Sequence, residues 1–266
     1  MASARSFLER YQQGQGFLHR ADSRVKLILT LGFIFSVTAT PPWAWPVFLF
    51  FAALEWTLIV SSRLSVIGTL KRSLLAAPFM LIAAPTVFTK PGTELFTIPV
   101  FSWTWVATDE GTVFFLSVLA KSWISVIAAG TLAAVTPFSD LAKAMRHLHI
   151  PRILVAIVSF MYRYLFVLVD ETLRLMRARE ARSAKIGRKA GGPLLWRWRV
   201  AGHMVGSLFL RTYERSERIY MAMVSRGYNG EVIIMRQRPL SFPEQALILT
   251  VFVVFAAVEV LAAIVW

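Results

Sequence analysis

The chain contains no cysteine, and this absence narrows the chemistry available to it. With no cysteine among 266 residues, neither disulfide bonds nor thiolate-bound metal sites can form. The sequence also lacks a GxxxxGK[ST] phosphate-binding loop, so we do not expect the chain to hydrolyse ATP itself. His147 and His149 are two residues apart, which on a helix turns their side chains about 160° away from each other. We therefore expect neither a metal site nor a cofactor, and an enzymatic function has little support.

Acidic residues are also scarce, and the basic excess is unevenly distributed. Residues 137–240 carry 19 Lys and Arg against 7 Asp and Glu, which is 12 of the net 14 positive charges. Positive segments beside apolar spans stay on the cytoplasmic side of a membrane. We therefore expect this stretch, and the N-terminus of the chain, to be cytoplasmic.

Hydrophobic residues are abundant. They make up 56% of the chain, and the mean hydropathy is +0.59, which is too apolar for an ordinary soluble domain. The 17% of charged residues is too high for a chain made only of membrane spans. We therefore predict an all-α, polytopic membrane protein with one substantial part outside the bilayer.

Five apolar segments are candidates to cross the bilayer. Pro78 and Pro85 should bend the third segment, and residues 90–110 should form an outside loop. The segments are residues 25–40, 47–62, 72–89, 111–135 and 245–266. This predicts an N-terminal leader with four transmembrane helices in residues 1–136, a helical module in 137–240 and a C-terminal transmembrane helix in 241–266.

The module should contain two long helices. The first follows Pro151 to about Lys185, and its apolar first half could be mistaken for another span. A crossing there would carry the arginine-rich stretch outside and bury Arg163 at a cost of about 2.5–3.5 kcal/mol. We therefore predict a helix that does not cross the membrane, followed by a linker at 186–193 and a second long helix ending at Gly227.

Charged side chains are regularly spaced along both predicted helices. Arg163, Asp170 and Arg174 share a stripe on the first helix, and Asp170 and Arg174 have the i, i+4 spacing that favours an ion pair. Glu214 and Arg218 repeat this spacing on the second. We expect these residues to support the two helices.

Each long helix ends in an arginine between two small residues. The triplets are Ala181-Arg182-Ser183 and Ser225-Arg226-Gly227. Small neighbours leave the guanidinium free to enter a partner's groove, where its planar fork suits a bidentate contact with a carboxylate. On spacing alone the pattern is weak evidence for docking, because Arg-Gly at a helix end is also ordinary capping.

The sequences around these triplets carry a family resemblance. SDLAKAMRHLHIPRILVAIVSFMYRYLFVLVDETLRLMRAREARS, RSERIYMAMVSRGY and DSRVK resemble the CbiQ/EcfT family, the transmembrane coupling components of energy-coupling-factor transporters, a branch of the ABC transporters. The resemblance covers essentially the whole chain and is strongest over residues 137–228. It implies a non-catalytic subunit of a bacterial inner (plasma) membrane transporter, whose two triplets dock on two ATPase subunits. Family members often have Gly where this chain has Ser183.

The MYRYLFVLVDE run is more similar to the cobalt and nickel members than to the vitamin members. That similarity implies CbiO-like ATPases, a CbiM-like substrate-binding membrane subunit and a small CbiN-like subunit, with cobalt as the transported ion. Coupling subunits of nickel or vitamin transporters are the alternatives. Beyond these subunits we expect contact with membrane lipid and none with nucleic acid.

Two further hypotheses follow from charge. A membrane scaffold whose basic module binds anionic lipid is the alternative from another functional class, although acidic residues are interleaved with the basic ones. Within the spans, Glu55 and Lys121 are intramembrane charges, which pair with each other, face a polar seam between subunits, or lie near span ends and reach the interface.

Overall fold

The architecture is helical throughout most of the chain. The computed structural model describes residues 21–62, 64–100, 103–148, 150–182, 194–230 and 241–265. The α-helices are α1 (Ser23–Ala39), α2 (Trp45–Ser61), α3 (Val66–Ser73), α4 (Ala77–Met80), α5 (Thr86–Thr89), α6 (Asp109–Val135), α7 (Phe138–Met145), α8 (Arg152–Arg182), α9 (Leu194–Val224) and α10 (Phe242–Val265). The all-α prediction is confirmed, with one short β-hairpin as an addition.

The chain divides into two compact units. One includes Met145–Gln237, and the other includes Tyr11–Ala144 with Arg238–Trp266. The first unit contains α8 and α9. The second contains the other α-helices and the hairpin.

Local sequence accounts for where the helices of the larger unit begin and end. Asp22 caps α1 by accepting a hydrogen bond from the Arg24 backbone N–H at 2.9 Å. The helix ends before Pro41-Pro42, which cannot extend it. At α10, the Glu244 carboxylate accepts from the Ser241 backbone N–H at 2.7 Å, half of a capping box.

Three described helices are long and apolar enough to cross a membrane: α6, α8 and α10. α2 is a shorter apolar helix. The third span predicted from the sequence, 72–89, differs in the structure, where the helix is interrupted rather than only bent. Short 3-10 turns at Leu74–Ala76 and Leu81–Ala83 separate α3, α4 and α5, since Pro78 and Pro85 cannot donate backbone hydrogen bonds.

Residues 94–108, predicted to be part of a loop, contain two antiparallel strands. These are β1 (Glu94–Val100) and β2 (Trp103–Thr108), with Val100 opposite Trp103 at the turn and Glu94 opposite Thr108 at the base. Thr108 then caps α6 by accepting from the Gly111 N–H at 3.2 Å. The hairpin therefore leads directly into the longest helix of this unit.

Aromatic residues form the core of the larger unit. Phe33 of α1, Phe51 of α2 and Phe255 of α10 meet edge to face, with ring centroids 5.4–6.0 Å apart. Ile124 and Ala128 of α6 belong to the same buried cluster. Four helices thus share one core.

Contacts along this core give the direction of each helix. α1 and α10 run parallel, since a Cβ at Gly32 would meet Phe252 at 2.6 Å and Thr40, eight residues later, bonds Glu259. A short turn joins α1 to α2, and α2 therefore runs antiparallel to α1. α6 runs with α2, because Lys121 lies 6.0 Å from the Phe48 ring and Thr131 bonds Glu55. Consequently the end of α6 and the start of α10 lie at the same end of this bundle.

Candidate functional site

The second arginine triplet lies in a well-defined helix end. The Tyr228 N–H donates to the Met223 carbonyl at 3.0 Å, and the Gly227 N–H donates to the Val224 carbonyl at 2.9 Å. With Gly227 at φ 84°, these are the bonds of a Schellman cap. Glycine meets the left-handed conformation without a Cβ penalty. The predicted helix end is confirmed, and Arg226 is the capping residue itself, with an exposed side chain.

The first triplet lies at the end of α8. Ala181 and Arg182 are the last residues of the helix and are exposed, whereas Ser183 lies outside the described residues. Within the described part of the chain, the Arg182 side chain makes no hydrogen bond or ion pair, while neighbouring Arg179 has a contact of its own. Arg182 is therefore the more available of the two arginines for an external partner.

α8 and α9 enclose a groove of about 290 Å³. Apolar and aromatic side chains form most of its lining, including Phe160, Tyr164, Val167, Leu168, Ile219 and Met223. At one place the groove is bridged by an ion pair, in which Arg211 donates to the Glu171 carboxylate at 3.0 Å. The Glu171 side chain is 20% exposed and that of Arg211 is 58% exposed.

The predicted supporting residues do not make the contacts expected from their spacing. Arg163, Arg174, Glu214 and Arg218 are exposed, and Asp170 is half-buried. Among the residues that the structure describes, neither Asp170 with Arg174 nor Glu214 with Arg218 forms an ion pair. Exposed pairs of this spacing gain little energy. The Glu171–Arg211 contact joins the helices instead, and i, i+4 spacing within one helix could not reveal it.

The two intramembrane charges also have different partners from each other. Glu55, 5% exposed, accepts a hydrogen bond from the Thr131 hydroxyl at 2.7 Å. Lys121 donates to the Thr38 carbonyl at 3.0 Å and lies close enough to Glu259 for their charges to interact. The hypothesis of a Glu55–Lys121 pair is wrong, because the two residues lie at different levels of the bundle.

Sequence reasoning missed Glu259, although a signal was present. Glu259 is a single acidic residue inside an apolar helix, the same criterion that singled out Glu55 and Lys121. Its carboxylate accepts from the Thr40 hydroxyl at 2.9 Å. A polar cluster of Thr38, Thr40, Lys121 and Glu259 therefore connects α1, α6 and α10.

Metal-binding groups are scarce in the parts of the chain that the structure covers. There, no cluster of three or more His, Asp or Glu residues is placed to hold a metal ion. The side chains of His147 and His149, predicted not to chelate together, lie outside the described residues. The structure thus directs attention to the two helix ends and the groove.

Comparison with known proteins places these features in a family. The CbiQ family model, described as "Cobalt transport protein", matches residues 14–237. The chain is similar to the energy-coupling factor transporter transmembrane protein EcfT of Brevibacillus brevis, with 30% identity over 87% of this chain and 88% of the relative. It is 28% identical to the cobalt transport protein CbiQ of Rhodobacter capsulatus over 42% of this chain and 43% of the relative.

The nickel permease LarQ of Lactiplantibacillus plantarum is 29% identical over 52% of this chain and 46% of the relative. Relatives named for cobalt and for nickel thus match to a similar degree, so the comparison leaves the substrate open. The matched span includes both arginine triplets and the paired helices. Family members are non-catalytic membrane subunits that work with separate ATPases and a substrate-binding subunit. The chain belongs to the CbiQ/EcfT family and is a multi-pass transmembrane component of an energy-coupling-factor transporter.

Proposed function

We propose that this chain couples ATP-driven motion of two CbiO-like ATPase subunits to uptake of a divalent metal ion, with Arg182 and Arg226 as the docking points. The observation that carries the proposal is the equivalent placement of these two side chains. Each is exposed at the end of a 31-residue helix. In the described residues neither side chain forms an ion pair. A guanidinium so placed suits a carboxylate in a partner's groove.

The triplets Ala181-Arg182-Ser183 and Ser225-Arg226-Gly227 provide narrow tips for such docking. Their small residues leave space beside the guanidinium, and the Gly227 cap ends the helix directly after Arg226. Arg163, Asp170, Arg174, Glu214 and Arg218 extend along the same helices as the polar surface that accompanies docking. Motion of the tips would then pass through α8 and α9 to the substrate-binding subunit.

Helix directions in the larger unit support a cytoplasmic position for residues 137–240. α6 ends and α10 begins at the same end of the bundle, so the chain between them crosses the membrane an even number of times or not at all. α8 is apolar enough to cross, but α9 is not among the candidate spans. A crossing by α8 would therefore have no returning helix among the described residues, which favours a non-crossing module between the N-terminal spans of 1–136 and the closing span of 241–266.

The basic content of the module favours the same orientation. Its excess of Lys and Arg indicates the cytoplasmic side of an inner membrane, with the N-terminus also inside. This orientation brings the arginine tips to the compartment that contains ATP. It also leaves the C-terminal end of α10 on the outer side.

For the substrate we propose cobalt, transported with a CbiM-like subunit and a small CbiN-like subunit. The MYRYLFVLVDE run and the match to the cobalt transport protein model support this assignment. Nickel is the second candidate, favoured by the similarity to LarQ. Competition between labelled cobalt and unlabelled nickel in cells expressing the complete transporter distinguishes the two ions.

The test of docking is co-purification of the ATPases with the chain. We expect Arg182→Ala and Arg226→Ala each to weaken ATPase binding by about 2–5 kcal/mol, roughly thirtyfold or more, because each leaves a buried carboxylate unpaired. The double variant should recover no ATPase and take up no cobalt. Arg177→Ala and Arg199→Ala are matched controls, since these arginines are exposed on the same helices, lie outside the proposed docking surface and should leave binding unchanged.

Full ATPase recovery and uptake by the double variant would contradict the coupling role. Binding of the purified module to vesicles containing anionic lipid would then support the scaffold alternative, which predicts only a shallow dependence on any single arginine. Equal loss in the Arg177→Ala and Arg199→Ala controls would also count against two discrete docking points.

A further inference from the structure

The Glu171–Arg211 ion pair lies at one end of the groove between α8 and α9. Glu171 is the last groove residue along α8, and Arg211 is the first along α9. The remaining groove residues precede Glu171 and follow Arg211. Both sets can line one groove of about 290 Å³ only if the two helices run in roughly opposite directions along it.

This arrangement places the ion pair between the two arginine tips. Arg182 lies 11 residues beyond Glu171, or about 16 Å along α8. Arg226 lies 15 residues beyond Arg211, or about 22 Å along the direction of α9. Because the helices are antiparallel, the segment from Glu171 to Arg182 extends away from the groove. The segment from Arg211 to Arg226 runs along the groove. We call these two segments the arms. The contact therefore divides the helix pair into two arms of similar length.

Two aromatic pairs on these helices, Phe160 with Tyr164 and Phe209 with Tyr213, stack within one helix rather than across the groove. The half-buried Glu171 carboxylate beside apolar groove residues strengthens its attraction to Arg211 relative to a fully hydrated pair. A directional contact next to an open groove allows rotation about the contact more readily than sliding past it.

We propose that Glu171 and Arg211 are positioning residues that form a pivot, at which displacement of one arginine tip is transmitted to the other. This proposal rests on the proposed docking of Arg182 and Arg226. It assigns a role that neither tip performs, namely keeping the two tips in a defined geometry when the ATPases close. A coupling element of this kind needs two arrangements of packed helices, biased by nucleotide.

The experiment measures the distance between the tips in the complete transporter. The native chain has no cysteine, so Ala178→Cys and Ala222→Cys introduce two unique spin-label sites. Each is exposed and lies four residues before a tip arginine. Distance distributions are recorded by pulsed electron paramagnetic resonance without nucleotide and with a non-hydrolysable ATP analogue.

In the wild-type background we expect a narrow distribution that shifts with the analogue. Glu171→Gln and Arg211→Gln should broaden the distribution at least twofold and abolish the shift, while ATPase recovery stays unchanged. The exchange Glu171→Arg with Arg211→Glu should restore a narrow, shifting distribution. Glu217→Gln, an exposed carboxylate on α9 without an ion pair in the described chain, is the matched control and should behave as wild type.

A shift that persists in both single variants would overturn the pivot, as would a wild-type distance that nucleotide leaves unchanged. An unchanged thermal unfolding midpoint in the two single variants separates a pivot from loss of general stability. Restoration by the charge exchange then shows that the contact, rather than either side chain alone, sets the tip geometry. Failure of the docking proposal is distinguishable, because it is measured by ATPase recovery in Arg182→Ala and Arg226→Ala. A broadened distance distribution between the tips, with the ATPases still bound, therefore reports on the pivot and not on docking.

Discussion

At the scale of single residues, threonine hydroxyls are the main partners of carboxylates inside the bundle. The one hydroxyl hydrogen of Thr131 is shared between two acceptors, the Ile127 carbonyl at 3.0 Å and the Glu55 carboxylate at 2.7 Å. The Thr40 hydroxyl is likewise shared between the Ser36 carbonyl at 3.1 Å and the Glu259 carboxylate at 2.9 Å. An unpartnered polar group in hydrocarbon costs several kcal/mol. These contacts therefore make intramembrane acids tolerable and fix which helix faces meet.

The Lys121 cluster gives a prediction at the same scale. We expect Lys121→Glu to lower the yield of folded protein, because it places two acids together near Thr40. Adding Glu259→Lys should restore the yield, whereas adding Glu55→Lys should not. Monodisperse protein recovered in detergent and its thermal unfolding midpoint measure both effects. Rescue by Glu55→Lys alone would mean that the two charges meet after all.

At the scale of helices, close backbone approaches decide where elements can pack. Gly111, in the first turn of α6, allows this helix to lie against α5. A Cβ there would stand 2.5 Å from the Val87 carbonyl oxygen and 2.7 Å from the Thr108 hydroxyl that caps α6. At Gly130, near the other end of the same helix, a Cβ would meet nothing within 4 Å beyond the backbone of its own helix. The two glycines thus have different reasons for being tolerated in one helix.

This contrast predicts opposite effects of the same substitution. Gly111→Ala should destabilise the protein by about 1–3 kcal/mol, because a backbone carbonyl must move to relieve the overlap. Gly130→Ala should stabilise it by up to about 1 kcal/mol through better helix propensity. Thermal unfolding of both variants in the same detergent provides the comparison. Equal stability of the Gly111→Ala and Gly130→Ala variants would show that α5 and α6 move apart without a measurable loss of unfolding free energy.

At the scale of the whole molecule, helix directions determine which ends share a side of the membrane. α1 and α10 run parallel and α2 and α6 run against them, so Ala39 and Val265 lie at one end and Ser61 at the other. The sidedness of this bundle therefore follows from the position of any one of these residues.

Single cysteines placed in the cysteine-free chain test this arrangement. We expect Ala39→Cys and Val265→Cys to react with an impermeant maleimide in intact cells. Ser61→Cys and Ala222→Cys should react only after the membrane is permeabilised. Reaction of Ala222→Cys in intact cells, with Ser61→Cys still protected, would mean that α8 crosses the membrane, contrary to the cytoplasmic position proposed for residues 137–240.

Local properties of the sequence determined the helical architecture and several helix boundaries. Pro41-Pro42 ends α1 and Gly227 ends α9 for reasons confined to a few neighbouring residues. The concentration of basic residues in 137–240 and the two arginine triplets are equally visible without coordinates, and the sequences around the triplets carry the family resemblance. Hydropathy alone does not decide whether α8 crosses the membrane.

The tertiary structure decided which distant residues meet. Thr131 rather than Lys121 is the partner of Glu55, and Arg211 rather than a residue on α8 is the partner of Glu171. Both outcomes depend on the register between helices far apart in the chain, which side-chain periodicity within one helix does not encode. Sequence determined the elements, and packing determined how their polar residues were paired.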